Sequence, residues 1–238
     1  MDADPEDLEL ALAALRSTSR HDTDYWFERV RNLNSQPANR RWIAYYMLGV
    51  SQISQYLEYE LAVEAFEKGL AVAHDATAQM HLHREIARVW HQRPGRYTEQ
   101  AQLHIDRAIA LVPIGDYSQL GYCYGLRAAI FANRMNGPDR KGLYEVGHMI
   151  GEYGRAVALT RAGDNRTLEL ETLLAYIKRL VYVEQFELAS TLTNRAFILT
   201  CSVGSDDEHK EIVDLASQIV SGEKRRAAAA STQYASRW

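Results

Sequence analysis

The 238-residue chain has few cysteines and prolines and no long hydrophobic run. Its two cysteines, Cys123 and Cys201, are too few for a disulfide framework, and their small or apolar neighbours predict two buried, reduced thiols. No stretch approaches the roughly 18 consecutive apolar residues of a membrane span. The acidic start MDADPEDLEL lacks the basic region of a secretory signal. We therefore expect a soluble, cytoplasmic protein without a membrane anchor.

Basic residues are also in deficit, with 27 Lys and Arg against 31 Asp and Glu and a formal net charge of -4 at pH 7. A dedicated nucleic-acid-binding domain is usually basic overall, so the charge argues against that class. The chain has no phosphate-binding glycine loop, nucleophile elbow or zinc-protease motif. On a helix, His81 and His83 project roughly 200 degrees apart, and His91 lies turns away. We predict no catalysis, no cofactor and no metal.

The five prolines and a few glycine- or asparagine-containing breaks divide the chain into long segments of helical character. No alternating run of β-branched residues bounded by hairpin turns indicates strands. We therefore predict an all-α fold. The predicted helices lie near 39–56, 58–74, 77–92, 97–112, 116–135, 139–161, 166–183, 185–201 and 206–223.

Small residues recur with a period of about forty residues, in a range typical of stacked supersecondary units. Three blocks share one spacing: Ala62-x3-Phe66-x2-Gly69, Ala101-x3-Ile105-x2-Ala108 and Ala189-x3-Thr193-x2-Ala196. Each block follows another small residue by 13 or 14 positions, namely Gly49, Ala87 and Ala175. Because two antiparallel helices pack closely only where small residues lie between their backbones, the pattern predicts stacked helical hairpins.

These positions resemble the tetratricopeptide-repeat (TPR) family, whose pattern has Leu-Gly in the first helix, then Ala, an aromatic, a small residue and a closing Pro. The first unit matches it at Leu48, Gly49, Ala62, Phe66 and Gly69, with one extra residue in the turn. The second matches it at Ala87, Ala101, Ile105, Ala108 and Pro113, with two extra residues. A later unit matches at Ala175, Ala189 and Ala196, but departs from the pattern at Thr193 and has no closing Pro.

The resemblance covers roughly residues 40–203 and implies an α-solenoid of antiparallel helical hairpins, a TPR-like superhelix with helical caps. We expect N-terminal capping helices over 1–38 and about four hairpins, one of them irregular, over 39–203. A C-terminal capping helix over 204–223 and a flexible tail over 224–238 would follow. Capping units with a polar outer face are needed for such arrays to be soluble.

The irregular unit carries three glycines, Gly147, Gly151 and Gly154, whose spacing places them on one face of a helix. Each costs up to about 1 kcal/mol relative to alanine inside a helix. Three interpretations stay open: close packing of another helix backbone, a face that receives a ligand or partner chain, and a local kink.

In the TPR family the first helix of each unit lines a concave surface that binds ligands. His81, Arg84, Arg88 and His91 share one face of such a helix. The same register in the other units adds Tyr46, Tyr122, Tyr176 and Arg179. The result is a groove with a basic centre flanked by tyrosines, suited to a protein or peptide with an acidic group or C-terminal carboxylate. The alternative is a solvated polar face that binds nothing.

The resulting hypothesis is a non-catalytic protein- or peptide-binding module that uses the concave face. One alternative is a regulatory peptide-sensing domain that acts through a partner protein, because residues 1–38 are too short and too acidic for a DNA-binding domain; such a chain could be a fragment of a larger regulator. The other is a scaffold that forms homodimers through Trp26, Phe27 and Val30 or through the glycine face.

Overall fold

The computed structural model of the chain describes residues 41–93, 98–134 and 143–235. Within these ranges all regular structure is helical, which confirms the predicted all-α class. The predicted capping helices over 1–38 lie outside the described residues. The helices are α1 Arg41–Ser51, which passes directly into a π-helical segment Gln52–Tyr56, α2 Tyr59–Val72, α3 Ala76–Gln92, α4 Thr98–Leu111, α5 Tyr117–Arg134, α6 Leu143–Ala162, α7 Arg166–Tyr182, α8 Phe186–Val203 and α9 Asp206–Ala235.

Side chains of Asp, Asn and Ser cap four of these helices at their N-termini. Asp75 accepts a hydrogen bond from the backbone N–H of Ala78 at 2.7 Å where α3 begins. Asp116 and Asn165 do the same at the starts of α5 and α7. Before α9, Ser205 and Glu208 bond reciprocally to each other's backbone N–H groups. Such caps contribute about 0.5–2 kcal/mol each and explain why helices restart after short breaks.

The chain divides into two compact units, unit 1 (Met1–Pro113) and unit 2 (Ile114–Trp238). In unit 1 each helix packs on the next, from α1 to α4. The small residues of the repeat lie at these contacts: a Cβ added at Gly49 would be 2.5 Å from the Phe66 ring, and one at Gly69 would be 2.9 Å from Leu82. Ala62, like Phe66 and Leu82, is completely buried. The recurring small residues therefore permit close helix packing in this unit.

In unit 2 the helices α5 to α9 also pack in succession, and α7 additionally contacts α5 and α9. Ala189 and Ala196 are completely buried. Thr193, the residue that departs from the repeat pattern, is buried with its hydroxyl donating to the Ala189 carbonyl at 2.7 Å. The core of this unit includes Tyr153 and Leu173.

Two predictions about the fold differ from the structure. Cys123 is buried as expected, but Cys201 on α8 is exposed. The last helix continues to Ala235 instead of ending near residue 223, so residues 224–235 are helical where a flexible tail was expected. Alanine has the highest helix propensity of any residue type, and an alanine run begins at Ala227. The Arg226 side chain also donates a hydrogen bond to the Glu184 carbonyl at 3.2 Å.

Candidate binding site

The central feature of unit 1 is a buried carboxylate on α3 that holds two arginines. Glu85 is 4% exposed. Arg84 donates to its Oε1 from both Nε and Nη2, at 3.2 and 3.0 Å. Arg88 donates from Nε to Oε2 at 2.6 Å. The two predicted arginines are thus fixed side by side by a residue between them in the sequence.

The Glu85 carboxyl stays ionised despite its burial. Burial alone would raise its pKa, but the charges of Arg84 and Arg88 and their hydrogen bonds outweigh it and hold the pKa below the usual range. Two guanidinium groups thus surround one carboxylate. The Arg84 side chain is 11% exposed and that of Arg88 is 24% exposed.

Tyr46 brings α1 to the same place. Its ring contacts those of Trp42 and Phe66, at centroid distances of 6.2 and 5.9 Å. Burial is the main reason that the Tyr46 pKa is raised to about 12; Glu85 raises it further, while Arg84, which also hydrogen-bonds to the hydroxyl, lowers it. The structure therefore brings Tyr46, Arg84 and Arg88 together. We call these three residues and Glu85 the arginine cluster.

His81 and His91 flank the arginine cluster along α3, three residues before Arg84 and three residues after Arg88. Both histidines are partly buried. They share the α3 face with the cluster, as the helical spacing predicts.

The three predicted residues of unit 2 have different environments. Tyr176 is 3% exposed, its ring stacks on Tyr153 at 5.0 Å, and its hydroxyl donates to the Ile150 carbonyl at 3.2 Å. Burial raises the Tyr176 pKa to about 12. Tyr176 is thus a core residue here, contrary to the expectation that it offers contact surface.

Arg179 links helices of unit 2. Its Nη2 donates to the Asn133 Oδ1 of α5 at 3.0 Å, and it hydrogen-bonds to the Tyr153 hydroxyl of α6. Tyr122 lies half-buried on α5. Of the predicted trio, Tyr122 and Arg179 keep some exposed surface.

The glycine face of α6, formed by Gly147, Gly151 and Gly154, is exposed. A Cβ added at any of the three would meet no atom of the described chain within 4 Å. The helix runs through them without interruption, which argues against a kink. No described helix packs closely on these glycines, so of the three interpretations the partner face retains support.

An ion pair joins α5 to α6, the helix that carries the glycine face. Arg127 of α5 donates to the buried Glu152 of α6 at 2.8 Å. The guanidinium groups of Arg127 and Arg155 lie 4.5 and 5.0 Å from the centre of the Tyr124 ring. Such cation–π contacts hold the arginines in place at this edge of α6.

A pair of histidines that no sequence pattern predicted joins α3 to α4. The Nδ1 atoms of His83 and His104 are 3.0 Å apart, and the ring centroids are separated by 5.1 Å. Burial and then the positive charge of Arg107 lower the His83 pKa. Burial, His83 and Arg107, in that order, lower the His104 pKa to about 4.

The chain matches no protein-family model, and no curated protein is similar to it in sequence. Within residues 41–93, 98–134 and 143–235, no group of three or more His, Cys, Asp or Glu side chains is arranged to hold a metal ion. None of the described helices combines the length and apolar character that crossing a membrane needs.

Proposed function

We propose that the chain is a non-catalytic protein- or peptide-binding module with TPR-like architecture, a solenoid of antiparallel helical hairpins. The arginine cluster would recognise an acidic side chain or a C-terminal carboxylate of the partner. One observation carries this proposal: Glu85 holds the guanidinium groups of Arg84 and Arg88 in fixed positions on the α3 face.

Prior fixation of the arginines favours binding. Ordering a long side chain on association costs about 0.5–1.5 kcal/mol, and Glu85 meets that cost for both arginines before a ligand arrives. A guanidinium group presents a planar fork of donors that matches a carboxylate. Arg84 and Arg88 carry the sign of charge that an acidic ligand needs.

Stability alone accounts poorly for such a cluster. Taking charged groups out of water is costly, and well-packed apolar residues in the same positions are often as stabilising or more so. Three charged side chains lie on α3 where apolar ones would fit a purely structural role, which favours recognition.

The TPR-like architecture is supported by the packing within each unit. Successive helices pack on each other, and the small residues of the three repeat blocks are buried. A regulatory peptide-sensing domain would use the same binding step and differ only in the partner protein that responds.

The proposal is tested with a random peptide library whose members have free C-termini. We expect selection on the full chain to enrich Asp, Glu or a required terminal carboxylate. Fluorescence anisotropy then gives the Kd of an enriched peptide. We expect Arg88→Gln to weaken binding at least about tenfold, which is about 1.4 kcal/mol.

Arg155→Gln is the matched control, since Arg155 is an exposed arginine in the other unit. It should leave the Kd unchanged. Circular dichroism would verify that both variants keep the helical content of the parent. Selection without acidic enrichment, or equal binding by Arg88→Gln and the parent, would refute the arginine cluster as the site.

A second candidate, self-association, is favoured by the glycine face, because it leaves a stretch of α6 backbone uncovered within the described structure. Sedimentation at several protein concentrations tests it. A mass that stays that of one chain at all concentrations would exclude a homodimer, and Gly151→Leu should abolish any dimer that uses this face.

A further inference from the structure

The His83–His104 pair places two metal-ligating side chains of unit 1 side by side, and neither belongs to the arginine cluster. One imidazole comes from α3 and the other from α4, and their Nδ1 atoms face each other at 3.0 Å. Both side chains are half-buried, so water can still reach them.

The separation of these atoms fits a shared metal ion. Zn–N bonds are about 2.0–2.1 Å long, so two nitrogens on one tetrahedral ion lie about 3.3 Å apart. The observed distance is within a few tenths of an ångström of that value, and a small rotation of either ring supplies the difference. Imidazole is a favoured ligand of Zn²⁺, Cu²⁺ and Ni²⁺.

We propose that His83 and His104 form a two-imidazole site that binds a divalent transition-metal ion such as Zn²⁺ and thereby links α3 to α4. Water would occupy the remaining coordination positions. Because only two protein ligands are present, the ion would exchange with solution, unlike the four-ligand ions of structural zinc sites.

The metal-free pair has its own hydrogen bond, in which the Nδ1–H of one neutral imidazole donates to the Nδ1 of the other. Metal binding requires both Nδ1 lone pairs, so the proton on that Nδ1 moves to Nε2 of the same ring. Each imidazole keeps one proton throughout, and the exchange releases none.

Arg107 is the nearby charge that opposes binding. It lies on α4 close enough to act on both histidines, and its side chain is exposed. A positive charge repels an incoming cation, although water screens much of the effect at the surface. Replacing Arg107 should therefore strengthen metal binding, whereas replacing either histidine should weaken it.

The experiment titrates Zn²⁺ into the full, tag-free chain after removal of trace metal, with a chromophoric chelator as competitor. We expect one Zn²⁺ at this site. His83→Ala and His104→Ala should each weaken it at least about tenfold. Arg107→Gln should tighten it several-fold, and His74→Ala, at an exposed histidine, should have no effect.

A second measurement guards against variants that alter the fold. Nitrogen-15 NMR of the parent chain should show Zn²⁺-dependent shifts of the Nδ1 resonances of two histidines, and His104→Gln, which keeps a polar side chain, should lose both. No saturable binding, equal binding by the parent and the histidine variants, or shifts confined to other histidines would overturn the proposal.

Discussion

The energetics of the arginine cluster make a direct prediction about Glu85. Replacing it with alanine leaves Arg84 and Arg88 beside each other on α3 without the carboxylate that holds them. Arg84 loses two hydrogen bonds to that carboxylate and Arg88 loses one. Two like charges then remain in an environment from which water is largely excluded.

Removal of one partner from a buried ion pair costs about 3–5 kcal/mol. Arg88 is about a quarter exposed and can rotate toward water, so the loss should lie near the lower end of this range. We therefore expect Glu85→Ala to lower the free energy of unfolding of unit 1 by about 3 kcal/mol. Glu85→Gln, which keeps one acceptor oxygen, should cost less.

Urea unfolding in a Trp238→Phe background is the assay, with tryptophan fluorescence to follow unit 1 and circular dichroism to follow the whole chain. Trp42 and Trp90 both belong to unit 1 and pack against its core. Glu67→Gln on the exposed side of α2 is the control and should change stability by less than about 0.5 kcal/mol. A Glu85→Ala variant as stable as the parent would refute the reasoning about the buried carboxylate.

Stability and recognition are separated by replacing the three charged residues together. Arg84→Met, Glu85→Leu and Arg88→Leu in one chain remove all three charges of the cluster and preserve most of the side-chain volume. We expect stability close to that of the parent or above it, because apolar replacements of buried ion pairs are often neutral or stabilising. The same variant should lose binding of the selected acidic peptide. If it binds as well as the parent, the cluster is purely structural.

The remaining predictions concern pH, glycine and backbone strain. Burial raises the pKa of Glu169, but the hydrogen bonds and charges of its two arginine partners lower it more. The carboxylate is therefore protonated at a lower pH in the native chain than in the unfolded chain. Its contribution to stability is therefore present above about pH 4.5 and is lost as pH falls through the depressed pKa, and acid titrations of Glu169→Gln should show less loss over that interval. Gly151→Ala should raise the free energy of unfolding by up to about 1 kcal/mol, because the glycine face is open. Gly49→Ala should lower the free energy of unfolding by about 1–3 kcal/mol, because the added methyl group clashes with Phe66. Urea unfolding measures both changes. Glu184 has a left-handed φ of 60 degrees, so Glu184→Gly should raise the melting temperature; a decrease would show that the glutamate side chain stabilises this turn.

Helix positions could be predicted because breaks in this chain carry local signals. Asp75, Asp116, Asn165 and Ser205 begin helices through bonds to the next few backbone N–H groups, and these depend on local sequence alone. The extension of α9 was missed because an alanine run has helix propensity but no pattern of buried positions.

The candidate site was harder to predict because its contacts depend on side-chain reach and helix register. Glu85 lies about 100 degrees around the helix from Arg84, so a pattern of shared faces excludes it, yet long side chains cross that gap. His83 and His104 are 21 residues apart, and only the register between α3 and α4 aligns them. Tyr176 is buried because Tyr153 of α6 stacks on it. Helix α6 belongs to the irregular hairpin, whose spacing of small residues departs from the repeat.

The length of α9 has a consequence for how the chain melts. Its core residues include Ile212, Leu215 and Ile219, and Gly222 is also buried, but the side chains of residues 223–229 are exposed. A segment of this length is marginally helical alone in water, so its helicity must propagate from the packed part of α9. Heating should unwind it residue by residue from the C-terminal end, which would give circular-dichroism melts a sloping baseline before the cooperative transition.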